Sequence, residues 1–127
     1  YTVGSIKRIP GYKQYAAVDG GMTDNPRYAL YQSRYTVYHG SKTGPTERFD
    51  VVGRCCESGD IIQPHVELPA DTCRGDILAV CTTGAYNYSM ASNYNRLPRP
   101  PIVMLTPEGS YTAVRRETFA DLTALDE

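Results

Sequence analysis

The chain has 127 residues, 13 of them Lys or Arg and 14 Asp or Glu, for a formal net charge of -1. That length fits one compact domain able to bury a core without disulfide staples. The even charge balance argues against a nucleic-acid surface or an anionic membrane as the main partner, and no apolar run approaches the roughly 20 residues that span a bilayer.

The opening residues, YTVGSIKRIPGY, lack the charged, apolar and small-residue layout of a signal peptide. The sequence starts without Met and inside what reads as a strand, as expected of a piece cut from a longer chain. Four cysteines with no CxxC spacing, and histidines at His39 and His65 with no paired spacing, predict neither a zinc site nor a disulfide framework. Reduced thiols in a cytoplasmic protein is the expectation.

In chain order, TVGSIKRI, YKQYAAVDG, RYTVYHG, RFDVVGRCC, DILAVCTTG, PIVMLT and SYTAVRR are short runs rich in Val, Ile, Tyr and Thr. PG, GG, TGP, SGD, RGD and PEG punctuate them as turns. Six or seven such strands predict a mainly β domain, a barrel or sandwich, with short helices. LPRPP, Leu97 to Pro101, reads as a rigid connector within one domain spanning residues 1–127.

Three stretches break the β pattern. Asn25-Pro26-Arg27-Tyr28-Ala29-Leu30-Tyr31 predicts a helical turn with Asn25 as N-cap and Pro26 at the first helical position. Arg27 and Tyr31 would then share a face. GAYNYSMASNYN predicts a short helix starting beside Gly84 and ended by Asn-Arg-Leu-Pro. ETFADLTALDE carries a capping-box pattern, Thr118 with Asp121, ahead of a packing helix.

Arg27 is poorly placed for helix stability, because a cation in the first turn opposes the helix dipole. It could be committed to a carboxylate held by both arms of its fork, or be an ordinary exposed arginine. Tyr31 could offer a hydroxyl to the same ligand or simply pack. In RCCESGD, Arg54 to Asp60, Ser58-Gly59-Asp60 form a turn at a strand end, where scaffolds commonly carry function. Cys55 reads as a packing residue. A thiol at Cys56 can exchange protons near neutrality and a carboxylate at Glu57 can hold an ammonium; burial and a surface charge are the plain alternatives. In GAYNYSMASNYN, a tyrosine hydroxyl near the backbone N–H groups of the helix start could meet a phosphate.

Together, VDGGMTDNPRYALY (Val18 to Tyr31), GRCCESGD (Gly53 to Asp60), GDILAVCTTGAYNYSMASNYNRLPRP (Gly75 to Pro100) and RRETFADL (Arg115 to Leu122) resemble the C-terminal half of the diaminopimelate decarboxylase family. CESGD with GAYNYSMASNYN is the specific part, since related ornithine and arginine decarboxylases typically carry Cys-Asp where this chain has Cys56-Glu57.

The resemblance implies the β-rich C-terminal domain of a two-domain, fold-type III enzyme that uses pyridoxal 5'-phosphate and works as a homodimer. The cofactor-binding α/β barrel, its covalent lysine and its glycine-rich phosphate loop would lie outside this sequence. Lys7, Lys13 and Lys42 match no such lysine motif, so the chain alone would be inactive. The resemblance further implies that Arg27 and Tyr31 bind substrate, with Tyr28 standing where the family motif has proline. Cys56 would donate the proton that replaces CO2, reaching into the other subunit's site. Glu57 would hold the substrate's amino group, and Tyr86 would touch both substrate and cofactor phosphate. The implied reaction turns meso-diaminopimelate into lysine and CO2. A related decarboxylase of a carboxylated polyamine precursor, and a non-catalytic β-module, are the competing readings.

Overall fold

The computed structural model describes all 127 residues, which divide into two compact units, Tyr1–Ala91 and Ser92–Glu127.

In the first unit, β1 (Val3–Ile9) and β2 (Lys13–Val18) form an antiparallel hairpin. Its turn is set by Pro10 and by Gly11 at φ 72°, with the Tyr12 N–H donating to the Ile9 carbonyl at 3.0 Å. Only glycine takes that left-handed angle without strain. The chain then passes through α1 (Arg27–Tyr31) and β3 (Val37–His39) before β4 (Thr46–Val52). β4 pairs in parallel with β2, Ala17 opposite Val52, and antiparallel with β5 (Ile61–Pro69). A second, two-stranded sheet joins β3 to β6 (Leu78–Val80). It is linked to the first sheet by a bridge from Thr2 to Ile77 and by exchange of backbone bonds between Tyr1 and Leu78.

The core of this unit is one apolar cluster. Val3, Ala16, Val18, Val37, Phe49, Val51, Ile62, Val66, Leu68 and Leu78 are all buried. Phe49 and Val51, two apart on β4, share the inner face, as the period of a strand requires. Each large side chain withdrawn in this way stabilises by about 1.5–3 kcal/mol.

The sequence reading missed β5, the longest strand, because Pro64 interrupts it and proline lacks a ladder donor. The structure accommodates Pro64 with two register irregularities around Val51, each placing an extra residue on β5, and with His65 at φ 58°. The His65 N–H, lost to the ladder, donates instead to buried Asp50 at 2.9 Å. Lys13 Nζ meets the other Asp50 oxygen at 2.7 Å.

The second unit holds the hairpin of β7 (Ile102–Thr106) and β8 (Gly109–Val114), then α3 (Phe119–Leu122). Thr118 and Asp121 form the expected capping box, and Arg115 grips Asp121 with two bonds of 2.7 Å. The Glu117 carboxylate accepts from Asn93 at 2.7 Å and from the Arg99 N–H at 2.8 Å, tying the connector to the end of the hairpin.

Two helix boundaries depart from expectation. Asn25 does not cap α1: Pro26 holds the cap position with no side-chain bond, and Asn25 is buried. GAYNYSMASNYN is not one helix. It gives a single turn, α2 (Asn87–Met90), broken where Ala91 turns extended, and a separate tight turn at Tyr94–Arg96. Its many Asn, Ser and Tyr residues are weak helix formers that compete for backbone bonds.

Candidate functional site

The parallel pairing of β2 and β4 brings the C-terminal ends of both strands to the same end of the sheet. Two loops therefore start side by side: Asp19–Pro26, which leads into α1, and Gly53–Asp60, which carries the thiols. The Arg54 N–H donates to the Gly20 carbonyl at 3.1 Å, and Gly53 N–H closes its own loop on the Asp60 carbonyl at 2.8 Å. β4 ends at Val52, so Cys55 and Cys56 lie on this loop, beyond the strand.

Arg27 and Tyr31 share a face of α1, the guanidinium carbon 5.6 Å from the ring centre. The same guanidinium lies 5.0 Å from the centre of the Tyr86 ring. A cation within reach of two aromatic rings is attracted by the quadrupole of each. Arg27 makes no side-chain hydrogen bond or ion pair within the chain, so its planar fork of donors remains open to a ligand. Such a fork matches a carboxylate or a phosphate.

Tyr86 sits at φ 70° directly before α2, an unusual angle for a residue with a side chain. Its ring is largely exposed. α2 itself is fixed from behind by buried Asn87, which donates to the Thr83 carbonyl at 3.0 Å and the Tyr35 hydroxyl at 3.3 Å.

On the Gly53–Asp60 loop, Cys56 and Glu57 are both exposed. The Glu57 carboxylate accepts from Ser58 Oγ at 3.3 Å and from the Gly59 N–H at 3.2 Å, and no hydrogen bond or ion pair joins it to Arg27. The structure thus gathers Arg27, Tyr31 and Tyr86 into one group and carries Cys56 and Glu57 on the neighbouring loop. Cys55 is partly buried, and burial, with the Asp60 carboxylate beside it, pushes its thiol above the usual range.

The sequence reading took Asp60 only as a turn residue, yet it is the hub between the loops. Its buried carboxylate accepts the Met22 N–H and the Cys55 N–H, both at 2.6 Å. Asp24 plays a similar part nearby, accepting from the Gly21 N–H at 2.8 Å and from the Tyr1 hydroxyl. Burial pushes the Asp24 carboxyl up. The signal in the sequence was the pair of strand-end glycines, Gly21 and Gly53, but which carboxylate they face is a tertiary fact.

A cleft of about 590 Å³ lies along the β1–β2 turn and the start of β4. It contains none of the candidate site residues, which line an open surface instead. No group of three or more His, Cys, Asp or Glu side chains is arranged to hold a metal ion, and no helix is long and apolar enough to cross a membrane.

Residues 1–84 match the family model described as the pyridoxal-dependent decarboxylase, C-terminal sheet domain. The chain is 48% identical to the diaminopimelate decarboxylase of Bacillus subtilis, over 99% of its own length and 29% of that protein. Among solved structures it is similar to diaminopimelate decarboxylase from M. jannaschii in co-complex with L-lysine, with a TM-score of 0.93, 35% identity, and coverage of 99% of this chain and 29% of the other. The Helicobacter pylori diaminopimelate decarboxylase complexed with L-lysine gives a TM-score of 0.89 and 32% identity, covering 98% of this chain and 30% of the other. The chain spans about three tenths of the length of the curated relatives it matches.

Proposed function

This chain belongs to the family of pyridoxal-dependent decarboxylase C-terminal sheet domains, and we infer from this that it is the C-terminal domain of a diaminopimelate decarboxylase. The full enzyme converts meso-diaminopimelate to L-lysine and CO2 in lysine biosynthesis, in the cytoplasm and as a homodimer. The observation that carries this reading is Arg27, within cation–π reach of both Tyr31 and Tyr86 and with no ion-pair partner of its own. The substrate has an amino-acid group at each end, and its far carboxylate is the anion such a fork would take.

The chain's residues divide the work by chemical type. Arg27 and Tyr31 bind and orient the far end of the substrate. Glu57, an exposed carboxylate, holds the ammonium group there. Cys56 delivers a proton to the carbon that has lost CO2, the thiol being a workable acid near neutral pH.

Pyridoxal phosphate supplies an electron sink for the breaking carbon–carboxylate bond. The residues here fit an edge contact with it: the Tyr86 hydroxyl makes no hydrogen bond in the chain and is open to a phosphate oxygen. They do not include a covalent anchor. Lys13 is paired with Asp50 and Lys42 with Asp76, each at 2.7 Å, and Lys7 lies on β1 opposite Tyr15, not among the residues grouped with Arg27, which supports an anchor on the barrel domain.

The test is to purify both this 127-residue chain and the full-length polypeptide that contains it. The full-length enzyme releases CO2 and lysine from meso-diaminopimelate, and the chain alone shows neither turnover nor cofactor absorbance. Turnover by the chain alone overturns the domain reading. A full-length enzyme that ignores diaminopimelate and decarboxylates a carboxylated polyamine overturns the substrate.

A further inference from the structure

Asp60 is almost fully buried at 4% exposure, yet its carboxylate has no cationic partner. Two main-chain N–H groups from different loops donate to it, and the Cys55 thiol lies beside it. Oδ1 takes the Met22 N–H and Oδ2 the Cys55 N–H, each at 2.6 Å. Met22 stands on the run that launches Arg27, and Cys55 directly precedes Cys56 and Glu57. The carboxylate is further enclosed by two glycine backbones. A Cβ on Gly21 would lie 2.7 Å from both carboxylate oxygens, and one on Gly53 would come closer still. The site is therefore built so that a charged acceptor fits where two strand ends meet, and neither glycine can gain a side chain without moving it.

We propose that Asp60 is the positioning residue of this site: by holding one N–H from each loop, it sets the Cys56–Glu57 segment in register with the segment that carries Arg27. This rests on the decarboxylase reading above. A carboxylate is the right group for the task because it accepts at both oxygens with charge-assisted bonds. Asparagine has nearly the same shape but presents an NH2 where one N–H needs an acceptor. Asp60 touches no reacting atom and acts through the placement of Cys56.

The experiment is a double-mutant cycle in the full-length enzyme. Asp60→Asn should lower kcat by about 100-fold, the scale of an ångström misplacement of a reacting group. In a Cys56→Ala background the same change should cost less than about 3-fold, because residues acting as a unit are not additive. Equal losses in the two backgrounds, or no loss in the first, overturn the proposal. Should Asp60→Asn fail to fold, Gly21→Ala nudges the carboxylate with every polar group retained, and the same cycle applies. Hydrogen exchange separates this proposal from the enzymatic reading. In either variant that folds, amides of residues 20–27 and 53–60 should exchange faster together, whether or not the wild type turns over diaminopimelate. Faster exchange in one segment alone overturns the positioning role, whereas an inactive wild type overturns only the decarboxylase reading.

Discussion

The guanidinium of Arg27 rests 5.0 Å from the centre of the Tyr86 ring, although the two residues belong to different short helical turns. With the Tyr31 ring 5.6 Å from it as well, the cation is held near two rings before any ligand arrives. A pre-oriented fork loses less rotamer entropy on binding than a free arginine.

Removing the ring should loosen that fork. Tyr86→Leu in the full-length enzyme is expected to raise KM for diaminopimelate about 5- to 10-fold, the value of about 1 kcal/mol of cation–π attraction. Tyr86→Phe keeps the ring and should leave KM nearly unchanged, while any loss of phosphate contact shows as faster cofactor release. Equal KM effects from the two variants would remove the stacking argument.

Arg27→Lys keeps the charge but not the paired donors. About 2 kcal/mol is expected from the lost charge-assisted bond, or roughly 30-fold in KM. A substrate analogue without the far carboxylate should bind both enzymes alike. If the wild type also binds that analogue as tightly as diaminopimelate, Arg27 is not the carboxylate receiver.

Cys56 and Glu57 are adjacent yet should fail differently. Cys56→Ala should lower kcat by about 100-fold or more, the usual contribution of a placed general acid, with little change in KM. Glu57→Gln should act mainly on KM, through the lost ammonium contact. Steady-state kinetics on the two variants separates the roles, and an unchanged kcat in Cys56→Ala would end the proton-donor assignment.

Acid should unfold the first unit partly through Asp50. Burial alone would raise this carboxyl, but the Lys13 ammonium and the His65 N–H outweigh it and hold it below its ordinary value of 3.8. A depressed carboxyl contributes stability that is full above the unfolded value and is lost as pH falls through the folded one. Thermal midpoints should therefore be flat above about pH 5 and fall below about pH 4. Asp50→Asn should lower the neutral-pH midpoint by about 5 °C and flatten that acid limb. An acid limb as steep as the wild type's would show that Asp50 is not its source. Asp24, pushed up by burial, has the opposite sign and a separate window, its contribution being lost as pH rises from 3.8 through its raised folded value.

Much of the β texture was legible because Val, Ile, Tyr and Thr alternate between turn residues, and PG at Pro10-Gly11 announced its hairpin through one left-handed glycine. The Thr118–Asp121 box was equally local and formed as read. What misled was also local. Pro64 hid β5, whose irregular register only Asp50 and His65 make tolerable, and a polar, tyrosine-rich run suggested one helix where the backbone breaks at Ala91.

By itself the sequence determined the chemical types on offer: a guanidinium four residues from a phenol on one helical face, and a thiol beside a carboxylate at a strand end. These depend on covalent order and short-range periodicity, which any reader of the chain can follow. The tertiary structure decided which of them meet. Pairing β2 in parallel with β4 put two strand termini at one end of the sheet, and that is a long-range choice driven by burial of the shared core. Only then could the Asp60 carboxylate take an N–H from each loop and the Tyr86 ring lie over Arg27.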